Sequence, residues 1–356
     1  MMRFLPLALA GLMATACDSG TDPEDVLKDF DAAGIARAIE AAVVPADASL
    51  DATWVLNDFV SSMLGGAFGT DRQSRITHTR AAPLESLPGA LASFDLRAIA
   101  LATRVEIPAD MLGRTFVRDF DSDSWVLDET RTGAPADGVR VAWYATDSFG
   151  EYVLPELGYI DITDQDTATM ERLGVLIVRT AGGTVTLADF VYGVSGSDDG
   201  VDWSEHGEMV GFFSDGTSQV DVDHQVDASG SSATGDETSS IHLSFTGPEG
   251  VYRWNLDGSW DQAAGTYDES LVVSLTRDDA ATILDLAFAP DGTATGSLTS
   301  RGVTIALISL ANQVMDFTRP GGGSFNAEQT SQLETLVLTM VLYGYFALTS
   351  TPFVGF

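Results

Sequence analysis

Between about residue 113 and residue 310, apolar and polar side chains alternate in one short segment after another, with turn signals between them. Gly138 to Thr146 places Val139, Val141, Trp143 and Ala145 on one face of a strand. Gly174 to Thr180 is a β-branched run closed by Ala181-Gly182-Gly183, a hairpin turn into Thr184 to Val194. Ser214-Asp215-Gly216 marks another turn, after which Val220, Val222, His224 and Val226 share one face and Asp221, Asp223, Gln225 and Asp227 the other. Ile241, Leu243 and Phe245 alternate with His242, Ser244 and Thr246. Tyr252, Trp254, Leu256 and Trp260 alternate with Arg253, Asn255 and Asp257. Leu284, Leu286 and Phe288 run into the turn Pro290-Asp291-Gly292. Val303 to Leu310 is apolar on both faces, which predicts a strand buried on both sides, and the Ser- and Gly-rich stretch Asp227 to Ser239 predicts a flexible loop.

Roughly a dozen strands with short connections imply antiparallel neighbours, because a parallel crossover needs a dozen or more residues. The pattern therefore predicts a mainly β fold: a large antiparallel meander that curls into a half-barrel, a barrel or a sandwich. Helices flank it. Val26, Leu27, Phe30, Ile35, Ile39 and Val43 form an intermittent helical stripe that starts near Asp22-Pro23 and ends at Pro45. Trp54, Val55, Phe59, Val60 and Met63 predict a second helix over about Asp51 to Leu64, stopped by Gly65-Gly66. After the hinge Pro320 to Gly323, Asn326 and Gln329 stand in capping-box positions, and Leu336 to Leu348 is almost wholly apolar. Thirteen helical residues span about 20 Å, short of the roughly 30 Å hydrocarbon core, so this helix is expected to pack on the sheet. These patterns divide the chain into residues 1–16, 17–25, a helical region 26–112, a β domain 113–312 and a hinge with C-terminal helix 313–356.

Charge narrows the partners. The 356 residues carry 52 acidic and 18 basic side chains, for a formal net charge of −34. Such a field repels phosphate backbones and anionic headgroups and argues against nucleic acid as a partner. It also suits a basic protein partner. Lys28 is the sole lysine and Cys17 the sole cysteine.

Cys17 follows a short positive start (Met1, Met2, Arg3), an apolar stretch from Phe4 to Ala14, and the small residues Ala14-Thr15-Ala16. This arrangement resembles the signal peptide and lipobox of bacterial lipoproteins. The resemblance implies acylation of the Cys17 thiol, removal of residues 1–16, and an extracytoplasmic protein of the cell envelope held to a membrane by its lipid. Ala14 stands where that motif usually has leucine, and Ala14-x-Ala16 also satisfies ordinary secretory cleavage; both routes give Cys17 as the mature start. The order of helices, meander and helix is similar in architecture to periplasmic lipid carriers, which implies an apolar ligand inside a curled sheet.

Candidate chemistry is sparse. Lys28 lies beside the tether, which leaves no lysine for a phosphate loop or Schiff base, and a terminal Cys17 leaves no thiol for catalysis or zinc. His78, His206, His224 and His242 are the only histidines. His206 stands in an acidic segment with Asp198, Asp199, Asp202, Glu205 and Glu208, oxygen-rich enough for a divalent cation such as calcium, although the EF-hand spacing fails and a solvated acidic loop accounts for the same residues. Asp119, Asp121 and Asp123 read as a polar turn. Trp143, Tyr252, Trp254, Trp260 and Phe288 are the candidate lining of an apolar pocket, or else core. The sequence thus favours a lipid-anchored envelope protein with a non-catalytic binding or structural role and no required cofactor. The alternative is a hydrolase that uses His206 with neighbouring carboxylates, with or without a divalent metal.

Overall fold

Fifteen strands join in one sheet whose order, β15 to β3 and then β1 and β2, is a meander from the third strand onward. The strands are β1 (Arg114–Asp119), β2 (Ser124–Leu127), β3 (Gly138–Thr146), β4 (Tyr152–Asp164), β5 (Glu171–Arg179), β6 (Val185–Asp198), β7 (Asp202–Ser214) and β8 (Gln219–Ser231). They continue as β9 (Glu237–Gly247), β10 (Gly250–Asp261), β11 (Thr266–Arg277), β12 (Ala280–Phe288), β13 (Ala294–Ser300), β14 (Val303–Ala311) and β15 (Val314–Thr318). Among the described residues the helices are α1 (Ala32–Val43), α2 (Asp47–Phe59, prolonged by a π turn over Val60–Leu64) and α3 (Ala327–Ser350). The computed structural model describes residues 26, 30–43, 47–64, 106–146, 151–289, 293–311 and 314–350. Cys17, Lys28, His78, nearly all of residues 67–112 and the turn Pro290 to Gly292 lie outside the described residues.

The sheet is antiparallel except where β1 runs parallel to β3. It does not close, since β2 and β15 are its two ends. Neither a closed barrel nor a two-sheet sandwich is formed by the described residues. The helices lie on one face: α1 against β9 and β10, α2 against β3, β6 and β7, and α3 against β10, β11 and β15. Alternation therefore has a direct cause. In β8 Val220, Val222, His224 and Val226 are buried on the helix-bearing face while Asp221, Asp223 and Gln225 meet solvent.

Two expectations fail for the same reason, an uncovered second face. The strand β14 is buried on one side only, and Leu307 is 42% exposed. The stretch 227–239 is no loop but the end of β8, a short turn and the start of β9. Its small polar residues face water on an exposed ladder, where Ser229 and Thr238 hydroxyls pair across the strands at 2.8 Å. A polar composition matches a loop, but backbone ladder bonds do not need apolar side chains.

At the sheet's first edge Asp58, at the end of α2, accepts three hydrogen bonds on Oδ2: from Arg118 Nη1 at 3.2 Å, Trp125 Nε1 at 3.0 Å and Tyr152 OH at 3.2 Å. The Arg118 side chain is almost fully buried and also pairs with Asp123. Phe59 packs its ring on Phe116 and Trp125 beneath them. A buried guanidinium is tolerable only with such partners. At the centre, α3 begins with the capping box expected from sequence, Asn326 Oδ1 accepting from Gln329 N at 2.9 Å and Gln329 Oε1 from Asn326 N at 3.2 Å. Leu333, Leu336, Val337, Met340 and Val341 bury its apolar stripe, at about 2 kcal/mol each. The helix is longer than its apolar stretch, and among the described residues no helix is long and apolar enough to cross a membrane.

Gly344 lets α3 approach the sheet closely. A Cβ built there would lie 2.0 Å from Cδ1 of Trp254, an indole with no exposed surface. Gly344→Ala should gain about 1 kcal/mol in helix propensity and lose about 1–3 kcal/mol or more to overpacking. We expect a net loss, read as a lowered midpoint in thermal unfolding followed by circular dichroism. An unchanged or raised midpoint would mean that the helix does not sit this close.

Candidate functional site

The uncovered face carries a polar cleft of about 690 Å³ where the ends of β6, β7, β8, β9 and β10 lie side by side. The ladder builds it. Ser195 stands opposite His206, His206 opposite Asp227, Asp227 opposite Ser240, and Ser240 opposite Asp257. Directly opposed residues of an antiparallel pair point to the same side, so these five form one row across five strands. A second row beside it holds Ser197, Ser204, Ser229 and Thr238, with Ser197 and Ser204 hydroxyls 2.9 Å apart. Gly196 and Gly258 contribute no side-chain bulk to the lining.

His206 Nδ1 lies 2.7 Å from Asp227 Oδ1, and its side chain is 31% exposed. A carboxylate only accepts, so Nδ1 is the donor, and the tautomer that bears its proton there has its lone pair on Nε2. Nε2 lies 3.9 Å from Glu208 Oε2, and Glu208 is itself engaged by Arg172. Farther along the same face His242 Nε2 lies 3.4 Å from Asp257 Oδ1. The cleft thus offers hydroxyls, one imidazole and carboxylates, each able to bond an alcohol.

The acidic segment around His206 is dispersed. Asp198 and Asp199 belong to the hairpin between β6 and β7, where Asp198 Oδ1 accepts from Gly200 N at 2.7 Å and Asp199 Oδ1 accepts from Asp202 N at 2.8 Å and Val201 N at 2.9 Å. Those backbone donors, Asp202 first, hold the Asp199 carboxyl below its usual range. Asp202 opens β7, and strand alternation sends Glu205 to the face opposite His206. Among the described residues no group of three or more His, Cys, Asp or Glu side chains is placed to hold a metal ion. Asp119 likewise accepts from Asp121 N at 3.0 Å and from the Ser122 hydroxyl at 2.7 Å, and Asp123 pairs with Arg118: a polar turn, as read from the sequence.

The aromatic set is also divided. Tyr252 and Trp254 have no exposed surface and lie beneath α3, where the Tyr252 hydroxyl donates to the Met340 carbonyl at 2.5 Å. Burial pushes that hydroxyl's pKa up. Trp143 is buried seven strands away on β3, and Trp260 and Phe288 are half-buried on β10 and β12. None of the five lines the polar cleft.

Sequence reasoning found His206 but not Ser195, Asp227, Ser240 or Asp257 as its companions. The signal present was only their polar-face parity; the register that aligns them across five strands is a tertiary property. No family model, curated protein or solved structure matches this chain.

His224 has a different role from His206. It lies on the helix-bearing face, buried, with its ring centroid 4.9 Å from that of Phe245, and burial pushes its pKa down to about 3. In the unfolded chain the value is near 6.5, so below that pH the unfolded state gains a proton that the fold refuses. Its contribution is complete above about pH 6.5 and is lost as pH falls toward about 3. Between pH 7 and pH 5 that amounts to about 2 kcal/mol. Denaturant melts of the wild type and His224→Leu at both pH values check it: the variant should lack this part of the acid sensitivity, and equal slopes would refute the assignment.

Proposed function

We propose that this chain is a lipid-anchored protein of the cell envelope, tethered through Cys17, whose β domain binds a neutral, hydroxyl-rich ligand of the saccharide type without chemical conversion. The observation that carries the binding part is the row Ser195, His206, Asp227, Ser240 and Asp257 lining an open cleft on the face that no described helix covers. Serine and threonine hydroxyls, imidazole and carboxylate both fix and orient alcohol groups. Asp227 and Asp257 in a chain of net charge −34 repel anions, which restricts the ligand to neutral or cationic species. The anchor rests on the signal and lipobox resemblance at residues 1–17.

Titration calorimetry against neutral and sulfated oligosaccharides tests the cleft. Neutral sugars should bind and sulfated ones should not, and Asp257→Ala should weaken binding about tenfold, in the range of a lost charged hydrogen bond. Absence of binding to any neutral saccharide at millimolar concentration would overturn it. The anchor is tested separately by metabolic labelling with a clickable fatty acid, which Cys17→Ser should abolish.

One observation favours a second reading, hydrolysis. Asp227 holds His206 in the tautomer of a general base, and Ser195 is its cross-strand neighbour on the other side. In that reading Nε2 takes the proton of Ser195 or of a water. Chromogenic ester and glycoside turnover lost in both Ser195→Ala and Asp227→Asn would establish it. Turnover absent from the wild type would leave binding alone.

A further inference from the structure

A second cleft, of about 470 Å³, opens between α1 and the hairpin ends of β11 to β14. Its lining mixes apolar and polar side chains in about equal measure and is more apolar than that of the first. Phe30, Ile35 and Ala38 from the α1 side face Leu275 at the end of β11 and Ala280 at the start of β12. At its base the buried hydroxyls of Thr282 and Ser300 lie 3.4 Å apart, so they satisfy each other. Arg277 and Arg301 also line it.

The two arginines differ. Arg277 is engaged, with Nη2 3.4 Å from Glu249 Oε2 and Nε 3.8 Å from Asp278 Oδ2. Arg301 has no carboxylate within ion-pair distance among the described residues, in a chain where acids outnumber bases 52 to 18. Its backbone also stands out. Arg301 and Gly302 turn β13 into β14 with φ of 52° and 75°, the left-handed pair of a two-residue hairpin. The neighbouring hairpin fills the same positions with Asp278 and Asp279, residues that tolerate this conformation. Arginine does not, and its strain is of order 1 kcal/mol. An asparagine there would suit the turn better. The turn chemistry therefore does not explain the arginine, whereas a ligand at the cleft does.

Two carboxylates in the lining could oppose an anion, and both are turned to other tasks. Asp31 Oδ1 accepts from Gly34 N at 2.8 Å as the cap of α1, and the Asp278 side chain is 94% exposed to water. We propose that this cleft binds a single-chain amphiphile with one anionic head: the alkyl chain lies against Phe30, Ile35, Ala38, Leu275 and Ala280, and the head pairs with Arg301. The inference is independent of the polar cleft and of any anchor at Cys17. An anion approaching this strongly acidic chain needs a local guanidinium, and Arg301 supplies it.

Displacement of cis-parinaric acid fluorescence from the full chain tests it, with palmitic acid, hexadecyl phosphate and hexadecanol as competitors. Either anion should displace the probe at least tenfold better than the alcohol. Preference for the carboxylate identifies a fatty acid as the source, and preference for the phosphate identifies a phospholipid-derived amphiphile. Arg301→Asn, which relieves the turn and keeps the fold, should abolish the preference for anions over the alcohol. Ala280→Trp, which fills the cleft, should weaken all three, with thermal melting confirming that the variant is folded. No displacement by any competitor, or an anion preference that survives Arg301→Asn, would overturn the proposal.

Discussion

The seating of α3 on the middle of the sheet is the contact that organises the rest. An antiparallel sheet of this width exposes one apolar face unless something covers it. Here Trp254 enters the space that the missing Cβ of Gly344 leaves, and Tyr252 spends its hydroxyl on the Met340 carbonyl. A buried phenol without an acceptor would cost about 1–3 kcal/mol, so the same bond that fixes the helix also makes the tyrosine admissible in the core. Because the helix fills this region, the aromatic residues that looked like a pocket from sequence serve as packing there. The two clefts lie elsewhere, on the uncovered face and at the periphery.

Charge is handled locally. With a net charge of −34, the fold uses its few arginines as clamps at strand pairs. Arg140 forms a two-pronged pair with Asp161 at 2.6 and 2.7 Å while its guanidinium lies 3.8 Å from the Tyr159 ring. Arg131 does the same with Glu156 at 2.9 and 2.8 Å, and Arg118 serves Asp58 and Asp123. Partly buried bidentate pairs resist salt better than surface pairs. Arg301 stands apart from these clamps by its left-handed backbone and its place in the lining of a cleft.

Much of the fold was legible because it depends on local patterns. The strand Gly138–Thr146, the alternation in β8, β9 and β10, the capping box at Asn326 and Gln329, and the change of character at Gly113 all follow from parity or from residues three apart. What was not legible depends on partners distant in sequence. Whether the sheet closes, that β1 lies parallel to β3, and that one face of β14 is bare are decided by pairing and cover. The same holds for the site. His206 could be singled out by its type, but its acidic neighbours in sequence point elsewhere, and its companion Asp227 lies twenty-one residues away on the next strand.

The ends of β6 to β9 give the strongest reason to treat the polar cleft as more than solvated surface. No residue is buried in 195–198, 202–206, 227–231 or 237–240. These segments add no core, yet they continue the ladder with Gly, Ser and Thr, residues of weak intrinsic strand preference or small packing value. Apart from the half-buried Trp203, whose indole lies against Gly230, hydrophobic packing contributes little to them. The hydroxyl pairs of Ser197 with Ser204 and Ser229 with Thr238 hold the surface in register at modest gain per bond. A hairpin extension that stability does not require, and that aligns His206 with Asp227 across two strands, is best accounted for by what the exposed face contacts.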